Sequence, residues 1–313
     1  MGKKSGYRIV LEDCMGVKPN ESVLILTDDK KKAIGESLYE EAKKMAREAI
    51  LMIMKPRKVS GEEPPEEVAE AMKKFDAIIC PTSTSLTHTN AKINAINAGA
   101  RLASMPGITE DMFEEGAITA DYNQVEKLTL KFTDLLTKAK KAKIVKDDYV
   151  LEMSLKGREG IPSPGIYRNS GEAGNLPSGE AYIAPLEDST NGEMLIDGSM
   201  VGIGKLGSPL YVKIENGKLI DLKGDDPNKL KVLFDNDRNG IVGEFGIGTN
   251  PSARLTGIIL EDEKIYGTVH IAFGTNTSFG GINKADCHLD GVIIKPTLYL
   301  DEKLVLDEGT VVI

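Results

Sequence analysis

The first part of the chain alternates between short apolar runs and longer segments with helical spacing. The runs "SVLILT" (22–27), "ILMIMK" (50–55) and "DAIICPT" (76–82) are typical of buried strands. Between the first two runs, the apolar residues of the segment 28–49 recur at the spacing of one helix face. Strands that alternate with helices predict βαβ units and a parallel sheet. We therefore expect a doubly wound α/β domain over residues 1–145.

The pattern changes after a helix and a charged connection that end near residue 145. Glycine becomes frequent, and short alternating runs follow one another, as in "LYVKIENGKLIDLKG" (210–224) and "GVIIKPTLYL" (291–300). The Asn-Gly pair in the first of these runs supplies the positive φ angles of a type I′ hairpin turn. We expect a mostly antiparallel β, pseudo-barrel-like α+β domain over residues 146–313.

Composition and charge narrow the range of functions. The formal net charge of −9 argues against general binding of nucleic acid, which requires a basic surface. The chain contains no apolar stretch long enough for a membrane helix, and its start lacks the features of a secretory signal. Cys14, Cys80 and Cys287 match no zinc or disulfide spacing, which suits a reducing compartment. The expected location is therefore the cytoplasm.

The stretch "DCHLDG" contains a histidine and an aspartate two positions apart. In a strand, residues i and i+2 point to the same face, so His288 and Asp290 would face one side. Cys287 and Leu289 would face the other side. The pair can hold one metal ion, or it can be a hydrogen-bonded surface pair, and the spacing alone leaves both interpretations open.

Other polar residues lie in similarly apolar surroundings. His270, in "GTVHIAFG", is either a core histidine or a second imidazole of the same site. Glu180 and Glu244 are flanked by apolar residues and glycines, where an unpaired carboxylate is costly to bury. They either coordinate an ion or form salt bridges to Arg254 or a lysine. The acidic run 261–263, by contrast, is expected to be a solvated turn.

Together these residues predict a metal site. Two histidines and three carboxylates are enough for a pair of divalent ions about 3.5–4 Å apart, which activates a bridging water and polarises a carbonyl group. Imidazole and carboxylate ligands suit zinc, cobalt, manganese or iron better than calcium. The predicted ligands are Glu180, Glu244, His270, His288 and Asp290.

Longer stretches resemble the metallo-aminopeptidases of the aminopeptidase T type. They are, in order, "NLPSGEAYIAPLEDSTNG", "VGEFGIGTNP", "LEDEKIYGTVHIAFG" and "HLDGVIIKPTLYLD". In the first half the resemblance is clearest in "VKPNESVLIL" and "SLTHTNA", so it spans nearly the whole chain. It implies a homodimeric two-metal hydrolase that removes N-terminal residues from peptides. The family's metal ligands fall on the five predicted residues, and Glu180 or Glu244 would carry the proton to the leaving amine.

The chain departs from this family near the first histidine of the site. The family has a tyrosine there, where this sequence has Thr277 and Ser278. The family often has a second glutamate where this chain has Ile247. An inactive metal-binding homologue therefore remains an alternative.

A neighbouring group shares the architecture but uses it for oxidative ring opening. The chain also resembles these iron-dependent dihydroxypyridine dioxygenases, whose site consists of two histidines and one aspartate. His270, His288 and Asp290 would supply that set to a single iron(II) ion. Because Glu180 and Glu244 stand in matching motifs, the peptidase is the preferred interpretation.

The third histidine, His88, belongs to the first domain, in "SLTHTNA". One interpretation is a residue at the start of a helix. The other is a substrate-binding residue that reaches across a cleft between the domains, where ligand sites are often found.

Overall fold

The computed structural model describes residues 4–313. Its α-helices, numbered α1–α7, are Gly6–Arg8, Lys32–Ala42, Glu66–Met72, Asn90–Asn97, Asp111–Glu114, Tyr122–Lys138 and Ile259–Asp262. A π-helical segment spans Ile9–Cys14, and 3-10 helices span Ala117–Thr119, Pro227–Phe234 and Thr277–Phe279. The strands, numbered β1–β20, are Ser22–Asp28, Glu48–Met54, Ala77–Cys80, Arg101–Ser104, Lys141–Lys146, Tyr149–Ser154, Ile161–Ser163, Ala173–Asn175, Glu180–Ile183, Asn191–Ile196, Ser199–Met200, Gly204–Lys205, Leu210–Glu215, Lys218–Lys223, Val242–Gly248, Val269–Gly274, His288–Ile293, Thr297–Leu300, Lys303–Asp307 and Thr310–Val311.

The first of two compact units contains a parallel sheet. It consists of the residues up to Asn123 and of the segment Gly165–Ser178. Its strand order is β2-β1-β3-β4-β8, and all neighbouring pairs are parallel. The interior strand β1 is buried along its whole length, as its uninterrupted apolar run predicts. The pattern did not predict β8, because its sequence "AGN" has no apolar run.

The second unit is built from two antiparallel sheets. It consists of Gln124–Pro164 and Gly179–Ile313. One sheet has the order β14-β13-β10-β6-β5-β18-β19-β20 and the other the order β12-β11-β17-β16-β15-β9-β7. Asn216 and Gly217 have φ angles of 50° and 78°, which confirms the type I′ turn between β13 and β14. The predicted fold class, a parallel α/β part followed by a mostly antiparallel β part, is confirmed.

The charged connection expected after helix α6 is instead a β-hairpin. β5 and β6 pair antiparallel directly after the helix. Ala142 and Ile144 are fully buried, whereas Lys141 is exposed, so the lysines conceal a strand alternation. The predicted division into domains 1–145 and 146–313 stays a prediction.

Among the helices of residues 4–313, none combines the length and apolar character required to cross a bilayer.

Candidate metal centre

Four neighbouring strands of the seven-stranded sheet bring the predicted ligands to one face. Glu180 is the first residue of β9, Glu244 lies in β15, His270 in β16, and His288 and Asp290 in β17. Adjacent strands pair β9–β15, β15–β16 and β16–β17. The alternate residues of the same strands, among them Phe245 and Ile271, join the apolar core of the second unit. Strand alternation therefore collects the polar side chains on one side of this sheet.

Small residues on this face make room for the imidazole rings. Gly246 lies directly opposite His270 in the β15–β16 pair. A β-carbon at Gly246 would overlap the ring atoms of His270, so the ring lies directly over the glycine backbone. Across the next pair, Gly274 lies opposite His288 and Ala272 opposite Asp290.

The polar atoms of four side chains converge. His270 Nε2 lies 3.5 Å from Glu244 Oε1, and His288 Nε2 lies 3.3 Å from Glu244 Oε2. His288 Nε2 is also 3.4 Å from Asp290 Oδ1. Ligand atoms of Glu244, His270 and Asp290 all lie within 4.8 Å of one another, and the three residues are buried. Such spacing suits donors that surround one cation.

The hydrogen bonding of the histidines also fits a metal ion. Both ring nitrogens of His270 are buried and lack a hydrogen-bond partner within the chain, which is costly unless another group satisfies them. His288 Nδ1 lies 2.8 Å from the carbonyl oxygen of Thr275. A ring N–H that donates to this carbonyl leaves Nε2 as a free lone pair facing Glu244 and Asp290, which is the usual arrangement of a metal-binding histidine. These residues form a possible metal site.

Charges within the cluster shift its pKa values strongly. Burial disfavours the ionised form of Glu244, but contacts with His270 and His288 outweigh it and lower the pKa of Glu244 to about 2. Burial likewise disfavours the charged form of His270, yet Glu244, Glu180 and Glu263 together raise the pKa of His270 to about 9. The pKa of His288 is also raised well above its ordinary value, against burial, by Asp290 and Glu244. Without a metal ion, these shifts favour the protonated form of both imidazoles.

Metal affinity is expected to rise with pH up to about pH 9. An ion requires neutral imidazoles, so it must displace protons from His270 and His288 when it binds. The apparent dissociation constant should fall by up to about tenfold per pH unit for each displaced proton, and the contribution of His270 should end above its pKa. Calorimetric titration with Mn(II) in buffers of different ionisation enthalpy counts the released protons. An affinity that is constant between about pH 6 and pH 8 would contradict this linkage.

A buried lysine completes the cluster, and the sequence pattern did not identify it. Lys264 is fully buried, and its ammonium group donates to Glu180 Oε1 at 2.6 Å and forms an ion pair with Glu263 Oε1. Burial disfavours its charge, but Glu180 and Glu263 keep the pKa of Lys264 above its usual range. Burial raises the pKa of Glu263 to about 8 in spite of Lys264, and Glu180 and Asp290 add to the increase. The salt bridge from Glu180 to a lysine, one of the two interpretations of that residue, is therefore present.

The expectation of a solvated turn at residues 261–263 is wrong. Glu261 and Asp262 are completely buried. Asp262 accepts hydrogen bonds from the backbone N–H groups of Thr256 and Gly257 at 2.7 and 2.9 Å. These bonds tie the segment to the preceding loop and so fix the backbone that leads to Lys264.

An aromatic side chain borders the cluster near the position of the missing tyrosine. The ring of Phe279 packs edge-to-face on His288, with ring centroids 6.0 Å apart. It packs in the same manner on Tyr182, at 5.4 Å. Phe279 follows Thr277 and Ser278, so an aromatic residue stands at this part of the site, although it lacks a hydroxyl group.

His88 belongs to the other compact unit. It is exposed and directly precedes Thr89, whose side chain caps helix α4 by accepting a hydrogen bond from the backbone N–H of Lys92. This position agrees with the interpretation as a residue at the start of a helix. Its role in substrate binding stays a prediction.

Comparison with known proteins gives the family. The family model described as NicX, 2,5-dihydroxypyridine 5,6-dioxygenase, matches residues 5–313. A curated 2,5-dihydroxypyridine 5,6-dioxygenase of Pseudomonas putida KT2440 is 29% identical over 158 residues. That alignment spans 44% of this chain and 43% of the enzyme. The match therefore covers less than half the length of the curated relative.

Two solved structures share the fold. The 2,5-dihydroxypyridine dioxygenase from Pseudomonas putida KT2440 superposes with a TM-score of 0.81 at 18% identity, over 100% of this chain and 98% of that chain. Wild-type AmpT from Thermus thermophilus superposes with a TM-score of 0.71 at 14% identity, over 98% of this chain and 99% of that chain. At these identities the similarity establishes the fold alone.

The assignment to the aminopeptidase T type is therefore corrected. The chain shares the fold of AmpT, which accounts for the resemblance, but the family model that spans residues 5–313 describes a dioxygenase. The predictions of a hydrolase, of peptidase activity and of a peptide substrate are wrong for this reason. The chain belongs to the NicX family of 2,5-dihydroxypyridine 5,6-dioxygenases.

Proposed function

We propose that this protein is an iron(II)-dependent dioxygenase that opens the ring of a 2,5-dihydroxypyridine. Membership of the family and the 29% identity to a curated enzyme of that activity support the substrate class. One observation carries the proposal for the site. Two histidines face carboxylates across 3.3–3.5 Å, and the buried ring nitrogens of His270 have no hydrogen-bond partner within the chain.

In this proposal His270, His288, Asp290 and Glu244 hold one iron(II) ion. Two imidazoles with a carboxylate are the ligand set of many non-haem iron oxygenases. When bound, iron(II) supplies the electronic pathway by which dioxygen reacts with an electron-rich ring. One iron replaces the predicted pair of zinc, cobalt or manganese ions. The predicted homodimer stays a prediction.

The chain's own residues prepare the site for this reaction. The carbonyl group of Thr275 fixes the orientation of His288 through the 2.8 Å contact with Nδ1. Glu244 is ionised throughout the physiological pH range, because contacts with the two histidines lower its pKa to about 2. Phe279 places an aromatic ring beside His288, and Tyr182 packs on Phe279. Aromatic side chains pack favourably on a flat heteroaromatic substrate in offset or edge-to-face geometry.

A direct assay tests the proposed function. The full chain, loaded anaerobically with iron(II), is expected to consume dioxygen and 2,5-dihydroxypyridine in equal amounts, with loss of the ring's ultraviolet absorbance. Isotopically labelled dioxygen should deliver both of its atoms to the product. The zinc-loaded chain is the control and should be inactive, because zinc has no redox chemistry. A chain that binds iron but leaves the substrate intact would refute the proposal.

A further inference from the structure

Two groups of potential metal ligands meet at His270. One consists of Glu244, His270 and Asp290, and the other of Glu180, Glu263 and His270. The second group already contains a cation, because the ammonium group of Lys264 contacts both of its carboxylates. The structure thus shows two adjoining places for positive charge, of which the chain itself occupies one.

We propose that Glu180 and Glu263 form a second cation site, which the ammonium group of Lys264 occupies in place of a metal ion. Lys264 thereby limits the chain to one divalent ion. Without its side chain, Glu180 and Glu263 would bind a second ion, while His270 stays with the first. The inference rests on the proposed metal site and not on the identity of the organic substrate.

The two oxygen atoms of Glu180 face different neighbours, one in each cation site. Its Oε1 atom accepts the hydrogen bond from Lys264 Nζ at 2.6 Å. Its Oε2 atom is buried without a hydrogen-bond partner and lies 3.4 Å from His270 Nε2. One oxygen of this carboxylate therefore serves the ammonium group, and the other faces the imidazole.

The position of Lys264 is fixed by the fold. Its side chain is completely buried, so it cannot turn into solvent without opening the site. Its carbonyl oxygen accepts a hydrogen bond from the backbone N–H of Asn250 at 2.8 Å, which ties it to the segment after β15. Two buried carboxylates this close together are costly unless a cation or a proton neutralises them. A second divalent ion would have to take the place of the ammonium group.

The number of ions influences the chemistry that the centre supports. A pair of divalent ions can activate a bridging water for hydrolysis. A single ion with two imidazoles and a carboxylate suits reactions with dioxygen. Lys264 is therefore inferred to be a specificity-determining residue, because it limits the number of metal ions that the chain binds.

Metal stoichiometry tests the inference without an activity assay. Anaerobic titration of the full chain with Mn(II), followed by native mass spectrometry, should show one ion in the unmodified protein and two in Lys264→Met. The electron paramagnetic resonance spectrum should change from that of an isolated Mn(II) to that of an exchange-coupled pair, as expected for ions about 3.5–4 Å apart. Lys146→Met is the matched control and should keep one ion, because Lys146 pairs with Asp197 at 2.7 Å.

Two results would overturn the inference: two ions in the unmodified protein, or a single ion in a folded Lys264→Met. If Lys264→Met does not fold, Glu180→Gln provides the decision. This variant should still bind one Mn(II), because Glu180 is assigned to the ammonium group, and loss of the ion would refute the assignment. One bound ion without ring cleavage by the iron-loaded chain would count against the proposed function and leave this inference intact.

Discussion

Asp290→Asn is expected to lower the turnover of 2,5-dihydroxypyridine by at least about a thousandfold while the chain remains folded. The substitution preserves the shape of the side chain but removes the negative charge next to His288, 3.4 Å away. A catalytic metal contributes several kcal/mol to its reaction, and about 1.4 kcal/mol corresponds to a factor of ten in rate. Steady-state dioxygen consumption and iron content, measured on the same sample, check this expectation.

Asp197→Asn is the matched control for this loss. Asp197 is an aspartate of the same compact unit that pairs with Lys146 at 2.7 Å and belongs to no ligand group. The turnover and iron content of this variant should stay within a factor of about two of the unmodified chain, because Asp197 contacts Lys146 and the backbone of Ile294 and none of the proposed ligands. Equal activity in the two variants would show that Asp290 does not take part in the metal site.

Gly246→Ala is expected to weaken iron binding by about 10- to 100-fold, the range found when the support of a metal ligand is removed. The added methyl group would overlap the imidazole of His270, so the ring must leave its position over β15. The free energy of unfolding should fall by about 1–3 kcal/mol, as is usual for overpacking in a core. Metal titration and thermal unfolding of the metal-free chain measure the two effects separately.

Gly207→Ala introduces the same methyl group at an ordinary position. Gly207 is exposed, and a β-carbon there would be in van der Waals contact with Asp225 at 3.4 Å. This control should retain both its affinity for iron and its stability. If Gly246→Ala also bound iron with unchanged affinity, the assignment of His270 as a ligand would be wrong.

The strand alternation could be predicted from sequence, and it led to the correct side chains. His288 and Asp290 share a face because they are two positions apart in β17, and His270 and Glu244 are recognisable as polar residues in apolar strands. The function was misassigned because the two families that the sequence resembles share this fold and both resemblances imply histidine and carboxylate ligands. Lys264, the residue that distinguishes the two groups of ligands, meets Glu180 across 84 positions of sequence. Local sequence patterns cannot predict a contact between residues so far apart in the chain.

Two parts of the fold escaped prediction for a similar reason. The lysines of β5 hide the alternation of Ala142 and Ile144, whose burial depends on the sheet that receives them. The acidic run 261–263 has the composition of a solvated turn. It is buried because Asp262 binds the backbone of Thr256 and Gly257, and this bonding depends on a loop conformation that composition does not determine.

The pairing of β15, β16 and β17 would give the proposed metal ion a second role, in the selection of the folded state. A slip of β17 by one residue against β16 would send His288 and Asp290 to the apolar side and bring Leu289 to the polar face. Only the native register assembles the ligands, so an ion at a hundred times its dissociation constant favours that register by about 2.7 kcal/mol. The ion would therefore stabilise the native strand register over a slipped one. Chains produced under iron starvation should contain more misregistered and protease-sensitive molecules.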